Sequence, residues 1–280
     1  PGVQTWALPI YLAKFVGDDG SETLDGMRFL DWPTLENKQA VHEGLQAMLL
    51  KTMDSGARLA KLLGDLETAR LCEQTAAKLR RHAPPVSGRK SPAALLALAG
   101  ARDAREVADS VLKRDGPSDI STFYGFYVLQ ALAQSGDYDT ALDFISTYWG
   151  TMLDYGATTF WEDFDLGWTN NAARIDELTP PGKKDLHGDC GAHCYVGFRH
   201  SLCHGWASGP TAWLSQHVLG VQPLEPGFKR VRIAPQLGRL EWAEGSYPTP
   251  QGAIRVRHER RADGSIKSDI KAPKGVEVVR

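Results

Sequence analysis

The stretch LEPGFKRVRI, residues 224–233, separates two hydrophobic patterns in this chain of 280 residues. Ahead of it, apolar residues recur at the 3.6-residue spacing of helices. Within it the spacing falls to two, because Val231 and Ile233 alternate with arginines, and the alternation continues at Ile254 and Val256. The sequence therefore predicts a mainly α chain followed by an all-β part.

Turn signals divide each part further. Asp263-Gly264 predicts a hairpin in the β part, which we assign as an antiparallel β-sandwich module at residues 225–280. The helical domain covers residues 1–224 and contains a long irregular excursion at about 156–197, and such loops often carry function. Its helices are predicted at residues 36–63, 66–79, 92–99 and 103–113, from an N-cap at Ser118-Asp119, around 142–152, and at 199–219.

The composition excludes several classes of function. Lys and Arg number 32 and Asp and Glu 34, so the formal net charge is 32 − 34 = −2, without the basic surface typical of nucleic-acid or membrane binding. No apolar run reaches the ~18 residues that span a bilayer.

The sequence holds no P-loop, GxGxxG or GxSxG motif. Its four cysteines match no common zinc pattern, so we expect free and mostly buried thiols.

The clearest candidate for chemistry is GATTFWEDFD, residues 156–165, in which Glu162 lies among aromatic residues and two aspartates follow it. Aromatic rings stack on the apolar faces of sugars, and a carboxylate serves as acid, base or nucleophile at an anomeric carbon. The pattern is thus suited to carbohydrate chemistry. The alternative is the first turn of a helix, where acidic residues are common.

Two further clusters combine a polar group with tryptophan. RFLDWPT, residues 28–34, pairs Asp31 with Trp32, and its alternative reading is a Trp-Pro turn whose ring packs on the core. GFRHSLCHGW, residues 197–206, has two histidines four residues apart, which would share one face of the predicted helix. That spacing suits a substrate or a metal, although no Glu follows the first histidine as in the HExxH zinc motif. Core or capping histidines are the alternative.

The runs GATTFWEDFD, CYVGFRHSLCHGWASGPTAWL and HVLGVQPLEPGFKRVRIAPQLG together resemble the C-terminal half of bacterial α-L-rhamnosidases of glycoside hydrolase family 78. The resemblance covers about residues 29–276. It implies part of an (α/α)6 barrel of six helical hairpins, followed by a C-terminal β-sandwich. It also implies that terminal α-L-rhamnosyl residues of a glycan or glycoside are hydrolysed with inversion, without a cofactor or a metal.

The resemblance also implies roles for individual residues. Glu162 matches the general base of the family, and His204 matches its sugar-contacting histidine. Asp31-Trp32 matches an aromatic wall of the sugar subsite, although Leu-Asp-Trp-Pro replaces the more usual Gly-Asp-Trp. The residues implied in substrate binding are Asp31, Trp32, Trp161, His204 and Trp206.

One family feature has no match in these residues, namely the acidic motif with Arg and Trp that holds the general acid. The sequence also predicts about eight helices instead of the twelve of six hairpins, and it lacks a start methionine. We therefore expect either a shortened homologue or the C-terminal portion of a longer enzyme whose upstream segment supplies the acid. Asp165 stays open as an acid within the chain.

Two other functions stay open at this point. One is a non-catalytic carbohydrate-binding or scaffold protein that keeps the aromatic pocket without the chemistry. The other is a six-hairpin glycosidase that acts on a different sugar, since hydrogen-bonding side chains scattered over many loops set sugar identity. The resemblance also suggests a periplasmic or extracellular location, with any signal peptide outside these residues.

Overall fold

The computed structural model describes residues 9–279. The helices precede the two three-stranded sheets, which confirms the order of a mainly α chain followed by an all-β part. π-helical turns at Ala108–Leu112, Ile145–Trp149 and Leu214–Val218 lengthen the helices that they follow. The helices are α1 (Lys38–Leu62), α2 (Leu66–Leu79), α3 (Lys90–Leu98), α4 (Ala104–Val107), α5 (Gly125–Ser135), α6 (Tyr138–Phe144), α7 (Gly150–Asp154) and α8 (Gly209–Trp213).

Polar caps set where several of these helices begin. Oδ1 of Asn37 accepts the N–H of Ala40 at 3.0 Å, and Asp65 and Asp137 accept equivalent bonds at the starts of α2 and α6. These contacts satisfy backbone donors that the first turn of a helix leaves unpaired. Gly136, with a φ of 84°, ends α5 in the left-handed conformation, which glycine adopts without steric cost.

The helices pack around two apolar clusters. α1 packs against α2 and α3, α3 packs against α5, and α5 packs against α8. One cluster includes Leu50, Met53 and Leu79, and the other includes Leu132 and Trp213. The helical part is thus a set of hairpins packed side by side, and its membership of a closed (α/α)6 barrel stays a prediction.

Two three-stranded sheets follow the helices, with the strand orders β3-β4-β8 and β5-β6-β7. Val231 and Ile233 of one sheet and Ile254 and Val256 of the other are buried in a single apolar cluster, as in a sandwich. This burial confirms the predicted alternation, while the domain division at residue 225 stays a prediction. The strands are β3 (Val221–Pro223), β4 (Arg230–Ile233), β5 (Trp242–Thr249), β6 (Gly252–Arg260), β7 (Ile266–Lys271) and β8 (Glu277–Val279).

The predicted hairpin is confirmed, and the last strand differs from the prediction. β6 and β7 pair antiparallel around Asp263-Gly264, with Arg260 opposite Ile266. β8, however, pairs parallel to β4, with Val231 opposite Val278, so the β module is not purely antiparallel. β8 follows β7, which belongs to the other sheet, after a short connection. Because no hairpin joins β8 to β4, the two strands are free to pair in parallel.

The irregular excursion at 156–197 is also confirmed, because the structure places no α-helix there. Within it lie two strands of two residues, β1 (Ala172–Ala173) and β2 (Lys184–Asp185). They pair parallel, with Ala172 opposite Lys184, and so tie together the two ends of the loop at residues 174–183.

Two predicted helices were wrong in their bounds. The helix expected from Ser118-Asp119 begins only at Gly125, because Asp119 has a φ of 62° and Ser121 caps the turn instead. The helix expected at 199–219 is limited to α8 and the π-helical turn after it. Residues 200–204 instead pair with another extended segment, so the two histidines there share no helical face.

Acid is expected to destabilise the fold through His217. This side chain is buried, and its Nε2 lies 2.9 Å from Oε1 of Gln130. Burial lowers the pKa of His217 from 6.5 to about 4, so between these values the unfolded chain binds a proton that the folded chain does not. Stability is therefore lost as the pH falls through 6.5 toward 4, by about 2 kcal/mol between pH 7 and pH 5.

Urea unfolding at pH 7 and pH 5 measures this loss. The matched variant His217→Asn, which cannot titrate in this range, is expected to show a pH dependence smaller by that amount. An identical pH dependence in the wild type and the variant would contradict the assignment.

Candidate active site

The three sequence clusters meet at a cavity of about 460 Å³. The turn before α1, the turn before α5 and the irregular excursion each supply part of its wall. Four of the predicted site residues line it, namely Asp31, Trp32, Glu162 and Trp206. The other lining residues are Met27, Phe29, Leu30, Pro33, Asp119, Ile120, Ser121, Thr122, Phe123, Tyr124, Asp163, Phe164, Asp165, Trp168, Ala192, His193 and Tyr195.

Glu162 is fixed by a neighbouring extended segment. Its backbone N–H donates to the carbonyl oxygen of Ser201 at 2.9 Å, and its Oε2 accepts the N–H of Ser201 at 2.7 Å. Its own carbonyl oxygen accepts Oγ1 of Thr122 at 2.5 Å and Nε1 of Trp206 at 3.0 Å. The side chain is 13% exposed. One carboxylate oxygen is therefore held by the backbone, and the position of the carboxylate at the cavity is well defined.

His204 lies beside this carboxylate. Its Nδ1 is 3.7 Å from Oε1 of Glu162, and its ring centroid is 4.2 Å from that of Trp206. Its backbone N–H donates to the carbonyl oxygen of Phe160 at 2.8 Å, which joins the two segments a second time. The structure thus brings His204 to Glu162, and the contact of His204 with a sugar stays a prediction. The other histidine of the cluster, His200, is buried.

Asp31 has both a structural contact and an unpaired atom. Its Oδ1 accepts the N–H of Thr34 at 3.1 Å and so caps the short 3-10 helix Trp32–Thr34. Its Oδ2 is buried and has no hydrogen-bond partner among residues 9–279. Burial raises the pKa of Asp31.

Trp32 forms an aromatic wall together with the loop around His193. The two rings are stacked with centroids 5.4 Å apart, and Phe29 meets Trp32 edge-on at 5.0 Å. Nε1 of Trp32 donates to Oη of Tyr195 at 3.1 Å. The alternative interpretation expected the Trp32 ring to pack on the core. The structure instead places the ring at the cavity.

Trp161 was also predicted to bind substrate, but the structure buries it away from the cavity, and a contact with substrate stays a prediction. The side chain is 2% exposed and packs edge-on against Phe164, with centroids 5.5 Å apart. Trp161 is not among the described residues that line the cavity.

Asp163 and His193 are cavity residues that the sequence clusters did not assign. Burial raises the pKa of Asp163 to about 6, and the nearby charges of Asp165 and Glu162 add to the increase. His193 has a φ of 57°, which is uncommon for a residue other than glycine. The neighbouring carboxylates in the sequence could have indicated Asp163 as a site residue. No local pattern in the sequence indicated that the loop of His193 reaches the cavity.

The structure also bears on metal and membrane binding. Residues 9–279 contain no group of three or more His, Cys, Asp and Glu side chains arranged to hold a metal ion. The cysteines are free thiols, of which Cys72 and Cys190 are buried and Cys203 is exposed. Among the described helices, none is long and apolar enough to cross a membrane.

Comparisons with known proteins identify relatives of both parts of the chain. Residues 220–279 match the family model of the bacterial α-L-rhamnosidase C-terminal domain. An α-L-rhamnosidase of Alteromonas sp. (strain LOR) is 34% identical over 124 residues, which are 43% of this chain and 11% of that protein. This chain thus spans only a small part of that relative.

Solved structures match almost the whole chain. The family 78 rhamnosidase of Bacillus sp. GL1 has a TM-score of 0.75 and 26% identity, over 98% of this chain and 29% of that one. The Streptomyces avermitilis α-L-rhamnosidase complexed with L-rhamnose shares the fold, with a TM-score of 0.71 and 21% identity over 97% of this chain and 26% of that one. The chain is therefore related to the bacterial α-L-rhamnosidases of glycoside hydrolase family 78, whose C-terminal domain model matches its residues 220–279.

Proposed function

We propose that this protein is a glycoside hydrolase that releases terminal α-L-rhamnose by an inverting mechanism, with Glu162 as the general base. The observation that carries the proposal is the fixed carboxylate of Glu162 in a cavity lined by Trp32 and Trp206. The aromatic rings offer stacking surfaces for a sugar, and the carboxylate offers a proton acceptor beside them.

The base has one oxygen available for the reaction. Oε2 of Glu162 accepts the N–H of Ser201, and Oε1 accepts a proton from a water molecule in the cavity. The oxygen of that water bonds to the anomeric carbon while the glycosidic C–O bond breaks, and the leaving oxygen takes a proton from a general acid. Inverting enzymes hold the acid and the base about 6.5–9.5 Å apart to leave room for this water.

The general acid is proposed to come from a segment outside these 280 residues. The sequence has no match to the family's acid motif, and Asp165 caps the 3-10 helix Leu166–Thr169 by accepting the N–H of Gly167 at 2.7 Å. The same gap in the sequence favours one alternative, in which the chain binds a carbohydrate without hydrolysing it. In both cases the sugar occupies the same cavity.

Binding of L-rhamnose to the chain tests the proposed cavity, and tryptophan fluorescence or calorimetry measures it. Trp206→Ala is expected to weaken binding about tenfold, because a stacking surface is lost. Phe198→Ala is the matched control, since this exposed aromatic side chain lines no part of the cavity within residues 9–279. Equal effects of the two variants, or no binding at all, would contradict the proposal.

Turnover separates the enzyme from the binding protein. A form of the protein that hydrolyses 4-nitrophenyl α-L-rhamnoside is expected to release β-L-rhamnose first, which NMR detects before the anomers equilibrate. Initial release of the α-anomer would contradict inversion. Binding without turnover in every form of the protein would favour the non-catalytic alternative.

A further inference from the structure

The outer face of the sheet β5-β6-β7 carries a second concave surface, far along the sequence from the cavity residues. Along β6, Ile254 and Val256 point into the sandwich core, so Arg255 and Arg257 point outward. A groove of about 510 Å³ lies on this face. The outward side chains that line it are Glu244, Ser246, Arg255, Arg257, Asp269 and Lys271.

At one end of the groove the charges compensate each other. Arg257 lies opposite Glu244 on β5 and opposite Asp269 on β7. Its Nη1 is 2.5 Å from Oε2 of Glu244, and its Nη2 is 2.7 Å from Oε1 of Glu259. This arginine is already surrounded by acidic groups and has little positive charge to offer a ligand.

At the other end the charges do not compensate. Arg255 lies opposite Ser246 on β5 and directly opposite Lys271 on β7, and both basic side chains are exposed. None of the ion pairs within residues 9–279 includes Arg255 or Lys271. Opposite Cβ atoms in a sheet are about 4.5–5.5 Å apart, and like charges there are destabilising.

We propose that Arg255, Lys271 and Ser246 bind an anionic group of a glycan, either a carboxylate or a sulfate. A planar guanidinium donates two parallel hydrogen bonds to such a group, and the ammonium and the hydroxyl add further donors. The anion also relieves the repulsion between the two cations. The strands fix all three positions, as a binding site requires.

An aromatic ring on the same face identifies a sugar as the carrier of the anion. Trp242 is 57% exposed and lies on β5 four residues from Ser246, on the same side of the strand. The guanidinium of Arg257 lies over this ring at 5.3 Å from its centroid, so only the part of the ring that stays exposed is open to a sugar. Four residues of a strand span about 13 Å, so that exposed part can pack against another part of the same chain of sugars. The identification of a glycan rests on the proposed function, whereas the anion site itself does not.

Binding of three polysaccharides to the 280-residue chain tests the site. Alginate provides carboxylates, dextran sulfate provides sulfates, and dextran is the neutral control. We expect calorimetry at low salt to show binding of at least one polyanion and none of dextran, and the stronger polyanion identifies the anion. Binding of neither polyanion, or equal binding of dextran, would overturn the proposal.

Paired variants distinguish a site from general attraction. Arg255→Ala and Lys271→Ala are each expected to weaken polyanion binding about tenfold or more. Lys267→Ala is the matched control, because Lys267 lies on the same strand and face but opposite Glu259. An equal loss in the control would show that only net charge matters, and it would overturn the proposal.

Thermal unfolding separates binding from a structural role. Lys271→Ala is expected to leave the melting temperature unchanged or to raise it, because it removes a repulsion. A marked fall in the melting temperature would show that the pair stabilises the sheet and would overturn the proposal. Trp206→Ala, in turn, is expected to affect rhamnose binding and not polyanion binding, so the two proposals fail separately.

Discussion

Glu162→Gln is expected to lower the hydrolysis of an aryl α-L-rhamnoside by about a thousandfold while L-rhamnose binding persists. An amide cannot take the proton from water, and general base catalysis contributes about 10²–10⁴-fold to the rate. The amide oxygen can still accept the N–H of Ser201, which holds the carboxylate of Glu162 in the wild type. The variant therefore keeps the position of the side chain and loses only its basicity.

The measurement uses a form of the protein that is active before the substitution. Glu177→Gln is the matched control, because it makes the same change at an exposed glutamate of the excursion that lines no part of the cavity within residues 9–279. Added azide, which needs no base, is expected to restore turnover in Glu162→Gln. Turnover close to that of the wild type would exclude Glu162 as the base.

Asp163→Asn is expected to stabilise the protein by about 2 kcal/mol at pH 7.5 and to have little effect at pH 3.5. The pKa of Asp163 is about 6 in the folded state, compared with 3.8 ordinarily, because the carboxyl is largely buried. Between these values the folded chain holds a proton that the unfolded chain has released, so stability falls as the pH rises to about 6. A neutral amide avoids this loss, which would reach about 3 kcal/mol for a fully buried group.

Urea unfolding at the two pH values measures this effect. Asp165 is exposed, so Asp165→Asn is expected to change the stability little at either pH. Equal or lower stability of Asp163→Asn at pH 7.5 would contradict the prediction. If the variant is more stable but binds L-rhamnose more weakly, the cavity keeps this carboxyl for ligand binding at the expense of stability.

Local signals predicted most of the fold correctly. The change of period at residues 224–233 depends only on neighbouring residues, and the burial of Val231 and Ile233 confirms it. Local signals also predicted α1, which begins directly after Asn37, and the side chain of Asn37 caps its first turn. In the site, a carboxylate beside a tryptophan drew attention to Asp31 and Glu162, and both line the cavity.

Contacts between distant segments account for what the sequence did not predict. The spacing of residues 199–204 suits a helix, but their backbone groups pair with residues 160–162, and local periodicity cannot show such pairing. His193 stacks on Trp32 in a loop where His193 has a positive φ, and the residue types of that loop give no local signal of this contact.

The short pairing of β1 with β2 makes part of the excursion a permissive place for inserted sequence. These two strands hold the ends of the loop at residues 174–183 together, and Leu178 within it is 97% exposed. Lengthening a loop whose ends are already fixed costs only about 0.6 kcal/mol for each doubling. A peptide tag or a fluorescent label placed after Leu178 would therefore report on the protein without disturbing the pairing that positions Glu162.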